Sequence, residues 1–303
     1  MTRFRLAHLS DLHLPMDGLP LGPRGWLSKR GLSHLSWQLK RRKRHLGSVL
    51  KSMFADIAAT APGHIAVTGD ITNTARPEEF QRSIDWLSQL GAPSDVTLVP
   101  GNHDALVTVA HDDGQGHWQQ WMRGDGEDPS AFPFVRLRGR IALIGVNTAI
   151  ATPVFRATGK IGDAQLSRLE KILANLGAQD LFRVILMHHP VTDGLQPGRK
   201  ALIDRAEMQQ VLKRAGAEMI LHGHTHRASL TSVAGPKGPI AVIGVPSASG
   251  TARHVEHAAR WHLYDIDADG ANWQVQVSAR RLAPDDKFHD IADYTLKIPS
   301  SRV

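Results

Sequence analysis

Five short apolar runs in this 303-residue chain each stop at residues that bind metals or carry protons. Residues 4–10 lead into Asp11-Leu12-His13, residues 64–69 into Asp70, and residues 96–101 into Asn102-His103-Asp104. Residues 182–187 lead into His188-His189, and residues 217–223 into His224-Thr225-His226. Short apolar runs that alternate with amphipathic stretches are the pattern of an α/β layered domain. In open α/β sheets, sites form just beyond the carboxyl ends of strands, where neighbouring loops diverge. All five groups are therefore expected to converge on one place.

Strands are expected over residues 4–10, 64–69, 96–100, 140–147, 182–187, 217–222, 239–245, 261–266 and 273–279. The last of these follow one another without room for helices, so part of the sheet should be antiparallel. Helices carry their own punctuation. Arg76-Pro77-Glu78-Glu79 opens one with an early proline and acids in the first turn, Phe80, Ile84 and Leu87 form its stripe, and Gly91 closes it. Asp163 opens another, with Leu166, Leu169, Ile172 and Leu176 inward and Gly177 after its end. Asp204 and Glu207 have the spacing of a capping box for a third, which Gly216 ends. No internal repeat or low-complexity linker divides residues 1–303, so one domain is expected.

Spacing supports convergence. Asp11 and His13 are two apart, as are His224 and His226, and in extended backbone such pairs point the same way. A glycine precedes each of Asp70, Asn102 and His224, where a tight turn needs unusual dihedrals or close backbone approach. Asp-x-His and Gly-Asp are common by themselves, whereas Gly-Asn-His-Asp and Gly-His-Thr-His are rarer. All of them together, in order and at strand ends, are not a coincidence. Oxygen and imidazole donors in one set suit Mn, Fe or Zn, where an all-oxygen set would suit Mg or Ca.

The ordered set Asp11-x-His13, Gly69-Asp70, Gly101-Asn102-His103-Asp104, His188 and Gly223-His224-x-His226 resembles the calcineurin-like metallophosphoesterases over about residues 4–250. The resemblance implies an α/β fold, a four-layer αββα sandwich with two mixed β-sheets, and a two-metal site at their edge. It implies one divalent ion on Asp11, His13, Asp70 and His226 and a second on Asp70, Asn102, His188 and His224, with Asp70 bridging. Two cations about 3.5–4 Å apart clamp phosphate oxygens and lower the pKa of the attacking water. It further implies His103 near the leaving-group oxygen as proton donor or charge stabiliser, with Asp104 holding its opposite ring nitrogen. Spacing leaves His188 and His189 ambiguous. His188 directly follows the apolar run, as in the family pattern, and His189 is expected in a supporting or substrate-facing place. His8 and His222 are expected inside strands, and His34, His45, His111, His117, His254, His257 and His262 at surface or satisfied core positions.

The Gly-Asn-His-Asp form and compact length are closer to the bacterial phosphodiesterase-type members than to the protein phosphatases, whose motif ends in Glu. The expected activity is hydrolysis of a small anionic phosphodiester, such as a cyclic nucleotide or a glycerophosphodiester. A lipid-linked pyrophosphate at a membrane surface is the alternative substrate. A non-catalytic binding scaffold on the same fold is the other alternative, disfavoured because every metal position is filled.

Composition narrows the partners. Lys and Arg number 36 against 29 Asp and Glu, for a net charge of +7, which favours anionic partners. The absence of cysteine excludes disulfides and thiolate metal sites. No signal peptide and no long uncharged apolar stretch is evident, so a cytoplasmic protein is expected. Residues 24–45 mix Trp26, Leu32, Leu35, Trp37 and Leu39 with the basic run from Lys40 to Arg44 and read as an accessory insertion. It suggests peripheral contact with an anionic membrane at its inner face, against the plainer reading of a solvated helix pair. Residues 111–133, glycine-rich and acidic around Trp118 and Trp121, read as a second insertion or ordinary surface, and residues 255–303 as C-terminal strands and tail. Nucleic acid is not an expected partner, since no capping domain or coiled coil accompanies the site.

Overall fold

Strand residues alternate between two buried faces, and that alternation fixes the layering of the protein. A computed structural model describes residues 3–17, 21–39, 41–126, 131–251, 255–269 and 272–299. Its strands are β1 (Phe4–Leu9), β2 (His64–Val67), β3 (Val96–Leu98), β4 (Phe134–Arg138), β5 (Ile141–Gly145), β6 (Phe182–Leu186), β7 (Met219–His222), β8 (Ser229–Gly235), β9 (Gly238–Gly244), β10 (Arg260–Asp269), β11 (Asn272–Leu282) and β12 (Phe288–Pro299). The helices are α1 (Pro23–Trp26), α2 (Lys29–Leu39), α3 (Gly47–Thr60), α4 (Pro77–Leu90), α5 (Asp163–Ala178) and α6 (Arg205–Ala215).

One six-stranded sheet runs β12-β11-β10-β1-β2-β3 and the other β4-β5-β6-β7-β9-β8. Both are mixed. β1, β2 and β3 are parallel while β10, β11 and β12 join antiparallel, and β5, β6, β7 and β9 are parallel while β4 and β8 close the edges antiparallel. Leu6, Ala66, Leu143, Val184, Leu221 and Tyr264 pack between the two sheets. Ala7, Leu9 and Val67 point the other way, onto Leu50, Met53 and Ile57 of α3 and Phe80 and Leu87 of α4. Ile144, Ile185 and Ile220 cover the opposite outer face beneath Leu169 and Leu173 of α5 and Met208 and Leu212 of α6. The result is the αββα sandwich, with the parallel strands of both sheets delivering their carboxyl ends to one edge.

Several local expectations are corrected. Helix α5 runs through Gly177 instead of stopping there, and a side chain at that position would collide with the Arg183 guanidinium. That guanidinium donates to the carbonyls of Leu173 and Ala215 and pairs with Glu218. The capping box at Asp204 does not form: its carboxylate instead accepts from the backbone N–H groups of Ile161 and Gly162. Residues 111–133 are not merely surface, because Trp118 and Trp121 are buried and Trp118 Nε1 donates to Ser83 Oγ at 2.6 Å. Strand β4 hides from periodicity because Arg136 is buried in it, donating to the carbonyls of Arg123, Pro93, Val96 and Gln120. The edge strands β8 and β12 are half polar, and α3 has no cap residue to announce it. His254 and Lys40 lie outside the described residues. Among the described residues no helix is long and apolar enough to cross a membrane.

His64 tests the layering. It is 1% exposed, its Nε2 meets Thr97 Oγ1 at 2.7 Å, and burial with Arg138 and Arg136 nearby lowers its pKa to about 3. The native state then binds fewer protons than the unfolded one below pH ~6.5, so stability is full above that pH and falls as pH drops. Urea unfolding of His64→Gln should show the wild-type advantage shrinking by roughly 2 kcal/mol between pH 7 and pH 5. An unchanged difference would mean that His64 is protonated in the fold.

Candidate metal centre

Five of the seven residues expected to ligate metal adopt left-handed backbone: Asp11 (φ 55°), His13 (φ 44°), Asp70 (φ 55°), His224 (φ 65°) and His226 (φ 53°). The premise that the Asp11/His13 and His224/His226 pairs share a face of extended backbone is therefore wrong. Each member instead turns its side chain through a conformation that costs a non-glycine residue roughly 1–2 kcal/mol. Such strain persists where surroundings over-determine it. Here the loops lock one another. Asp11 N–H donates to the Gly69 carbonyl, His13 N–H to that of Asp70 and Leu14 N–H to that of Ile71, each at 2.9 Å.

The glycines before the motif residues are required by contact. Gly69 (φ 90°) and Gly101 press backbone to backbone, and a Cβ on Gly101 would overlap the Asp70 carboxylate. A Cβ on Gly223 would overlap Ser10 and the Asp11 carboxylate. Closer in, His103 N–H donates to Asp70 Oδ1 at 2.7 Å and His224 N–H to Asp11 Oδ2 at 3.0 Å. The backbone thus orients one oxygen of each carboxylate and leaves the other facing the cluster.

Asp11, His13, Asp70 and His226 form the first group, with one donor atom from each lying within 4.8 Å of all the others. Asp11 and Asp70 are 0% and 2% exposed, and burying charge without compensation is costly. Asp11 Oδ1 is 3.1 Å from His226 Nε2 yet has no hydrogen bond of acceptable direction. The Nε2 atoms of His13 and His226 face each other at 3.3 Å. Inward-facing oxygens and imidazole nitrogens with too few protons among them fit a cation.

The second group meets the first at Asp70. His188 Nε2 is 3.4 Å from Asp70 Oδ2 and 3.3 Å from Asn102 Oδ1, while its Nδ1 donates to the Thr68 carbonyl at 2.6 Å. His224 donates Nε2 to the Lys200 carbonyl at 2.8 Å, which leaves Nδ1 as its donor atom, and its ring lies 5.1 Å from that of His188. Fixing the outer ring nitrogen on a carbonyl is the usual support of a metal-binding imidazole. Burial opposes ionisation here, yet Asp70 raises His188 to about 9, and His188 and His103 hold Asp70 well below the carboxylate range.

His189 does not face substrate. It is buried, with Nδ1 on Thr148 Oγ1 at 2.8 Å and Nε2 on the Ala157 carbonyl at 3.2 Å. Nor does Asp104 hold the His103 ring. Its carboxylate accepts from Gly101 N–H (2.9 Å), Thr72 N–H (2.8 Å), Thr72 Oγ1 (3.0 Å) and Ile71 N–H (3.3 Å), and so ties the turn after Asp70 to the one before Asn102. The His103 ring is oriented by the Asn73 carbonyl, which accepts from Nδ1 at 2.8 Å.

His45 is the residue that sequence reasoning missed. Its ring lies 4.9 Å from that of His13 and 5.8 Å from that of His226, and its Nδ1 meets Ser249 Oγ at 2.7 Å and Ser247 Oγ at 3.2 Å. No strand ends at His45, so the signal that exposed the candidate ligands was absent. It lines a cavity of about 560 Å³ beside the cluster, together with Lys43, Arg44, His226, Glu256 and His257.

The family model described as calcineurin-like phosphoesterase matches residues 4–228, a span that includes every candidate ligand described above. The chain belongs to this family, and it is a metallophosphoesterase. It is 24% identical over 235 residues to a probable cyclic nucleotide phosphodiesterase of a Synechococcus species, covering 75% of this chain and 80% of that protein. It is 29% identical over 129 residues to a glycerophosphodiester phosphodiesterase of Enterobacter lignolyticus, covering 43% and 42% of the two chains. Two solved structures share the fold: a dimetal phosphatase from Danio rerio (TM-score 0.62, 13% identity, 97% and 98% covered) and a purple acid phosphatase from yellow lupin (TM-score 0.61, 14% identity, 98% and 54% covered).

A ligand for the native state alone stabilises it by about 2.7 kcal/mol at a hundredfold excess over Kd. Adding Mn²⁺ to the chelator-treated phosphoesterase should therefore raise its melting midpoint by roughly 4 °C. Asp70→Ala should abolish most of that rise, and an equal rise in this variant would place the ion elsewhere.

Proposed function

We propose that this phosphoesterase hydrolyses a small phosphodiester at a binuclear centre, with one ion on Asp11, His13, Asp70 and His226 and the other on Asp70, Asn102, His188 and His224. The observation that carries the proposal is the position of Asp70 Oδ2, 3.9 Å from His13 Nε2 on one side and 3.4 Å from His188 Nε2 on the other. One carboxylate oxygen thus serves both donor groups. The mixture of oxygen and imidazole donors suits Mn, Fe or Zn. When bound, two such ions neutralise charge on the phosphate and lower the pKa of the attacking water.

The chain's own residues supply the rest. His103 sits at the mouth of the cluster, its ring 5.0 Å from that of His13, with Nδ1 committed to the Asn73 carbonyl. That bond keeps a proton on Nδ1 and presents Nε2 to the site, so when the ring is the imidazolium its second proton, on Nε2, can pass to the departing ester oxygen and leave the neutral Nδ1–H tautomer. Asp104 is a positioning residue acting through the Asp70 and Asn102 turns, not a proton relay. The cavity of about 560 Å³ gives the non-reacting part of a diester somewhere to sit, beside Lys43, Arg44 and His45. Similarity to two phosphodiesterases supports a diester in preference to a monoester.

With Mn²⁺ present, the protein should hydrolyse bis(4-nitrophenyl) phosphate faster than 4-nitrophenyl phosphate, and Asp70→Ala should lose this activity by at least ~10³-fold. His103→Gln should lower kcat on an alkyl diester by roughly 10²-fold or more with little change in KM. The loss should be smaller for a nitrophenyl ester, whose leaving group needs no proton. Equal losses on both substrates would remove His103 from the role of acid.

A further inference from the structure

The rim of the metal centre carries a basic stretch of chain and a row of uncovered leucines. Between Asp17 and Asp56 the chain holds nine Lys and Arg and no acidic residue. Helix α2 lies in the middle of this stretch with its inner side fixed. Gly31, His34 and Trp37 are buried, and Ser33 Oγ donates to the same Asn73 carbonyl that orients His103. Arg30 donates to the carbonyls of Thr74 and Ala75, and Lys29 to Thr152 Oγ1 and to the carbonyls of Thr152 and Arg156. These bonds place α2 along the mouth of the site.

The outer side of α2 is a stripe of Leu32, Leu35 and Leu39, spaced i, i+3, i+7 and 49%, 43% and 67% exposed. Trp26 and Leu27 continue it at one end, where Phe155, 83% exposed, stands on the loop that Lys29 holds. At the other end Leu39 itself lines the cavity beside His226, next to the exposed Lys43 and Arg44. An apolar surface of this kind marks an interaction site. Charged residues as a class are depleted at the core of protein–protein interfaces. Basic residues flanking leucine and tryptophan on a short helix are instead the composition that lies in an anionic lipid interface.

We propose that this face docks on an anionic bilayer and that the substrate is a lipid phosphodiester, its head group in the Lys43–Arg44–His45 cavity and its chains level with the α2 stripe. The substrate half rests on the phosphodiesterase reading; the docking half does not.

The test uses the Mn²⁺-loaded full chain, vesicles of phosphatidylglycerol mixed with phosphatidylcholine, and vesicles of phosphatidylcholine alone. Wild-type protein should sediment with the anionic vesicles and not the neutral ones, and salt should release it. Both Leu32→Gln/Leu35→Gln and the loop variant Phe155→Ser should partition roughly tenfold more weakly. Hydrolysis of soluble bis(4-nitrophenyl) phosphate should be unchanged in both variants, which also certifies their fold. Hydrolysis of vesicle phosphatidylglycerol should fall with partition. Wild-type protein left in the supernatant, variants that sediment as wild type, or a wild-type dimer that the leucine variant dissolves into monomers would overturn docking. Intact phosphatidylglycerol alongside a cleaved soluble diester would overturn the lipid substrate. Failure on every diester with vesicle binding retained would instead sink the phosphodiesterase reading and leave docking standing.

Discussion

Two carboxylates, Asp11 and Asp70, are buried side by side where the two sheets meet, and the metal face is organised around their charge. Backbone N–H groups of His224 and His103 satisfy one oxygen of each, and four imidazoles close in on the remainder. Burial alone would push both groups toward neutrality. Histidines held close by the strand-end loops keep them ionised, and the same geometry is what a divalent cation requires. Electrostatic demand and metal affinity are one property of this site.

That demand explains where the fold accepts strain. Left-handed dihedrals at Asp11, His13, Asp70, His224 and His226 would be penalties in a loop without tertiary partners. They are sustained by hydrogen bonds between loops that belong to different strands, and by two further carboxylates that act as structural clamps. Asp104 gathers the N–H groups of Gly101, Ile71 and Thr72, and Glu79 gathers those of Asn73, Thr74 and Arg76. The turn after Asp70 is consequently held from both ends, and its Asn73 carbonyl can orient both His103 and the first turns of α2. The orientation of His103 and the placement of the apolar rim share that one peptide group.

The candidate ligands were legible because each follows an apolar strand, and a strand end is visible in a one-dimensional pattern. The α/β character was legible for the same reason, since short apolar runs alternate with amphipathic stretches, while the four-layer arrangement came with the family resemblance. What escaped notice did so on physical grounds. His45 reaches the cluster from the start of α3 through the hydroxyls of Ser247 and Ser249, a contact across some two hundred residues with no local signature. Arg136 disguised β4 by burying a guanidinium that satisfies four carbonyls, and Asp204 abandoned its cap for a distant turn. Asp104 looked like a partner for the adjacent His103 ring, yet three N–H groups and one hydroxyl on neighbouring turns competed better for its oxygens.

The sequence by itself determined an α/β layered domain, the motifs that carry the family resemblance and, through it, the αββα expectation, and the candidate metal-binding residues, because those depend on periodicity and on which side chains occupy strand ends. Only the tertiary structure decided which nitrogen of each histidine points inward, what orients His103, and that a leucine stripe borders the site. These depend on hydrogen bonds between segments far apart in the chain, and nothing in a local pattern encodes the direction of a bond whose partner lies elsewhere.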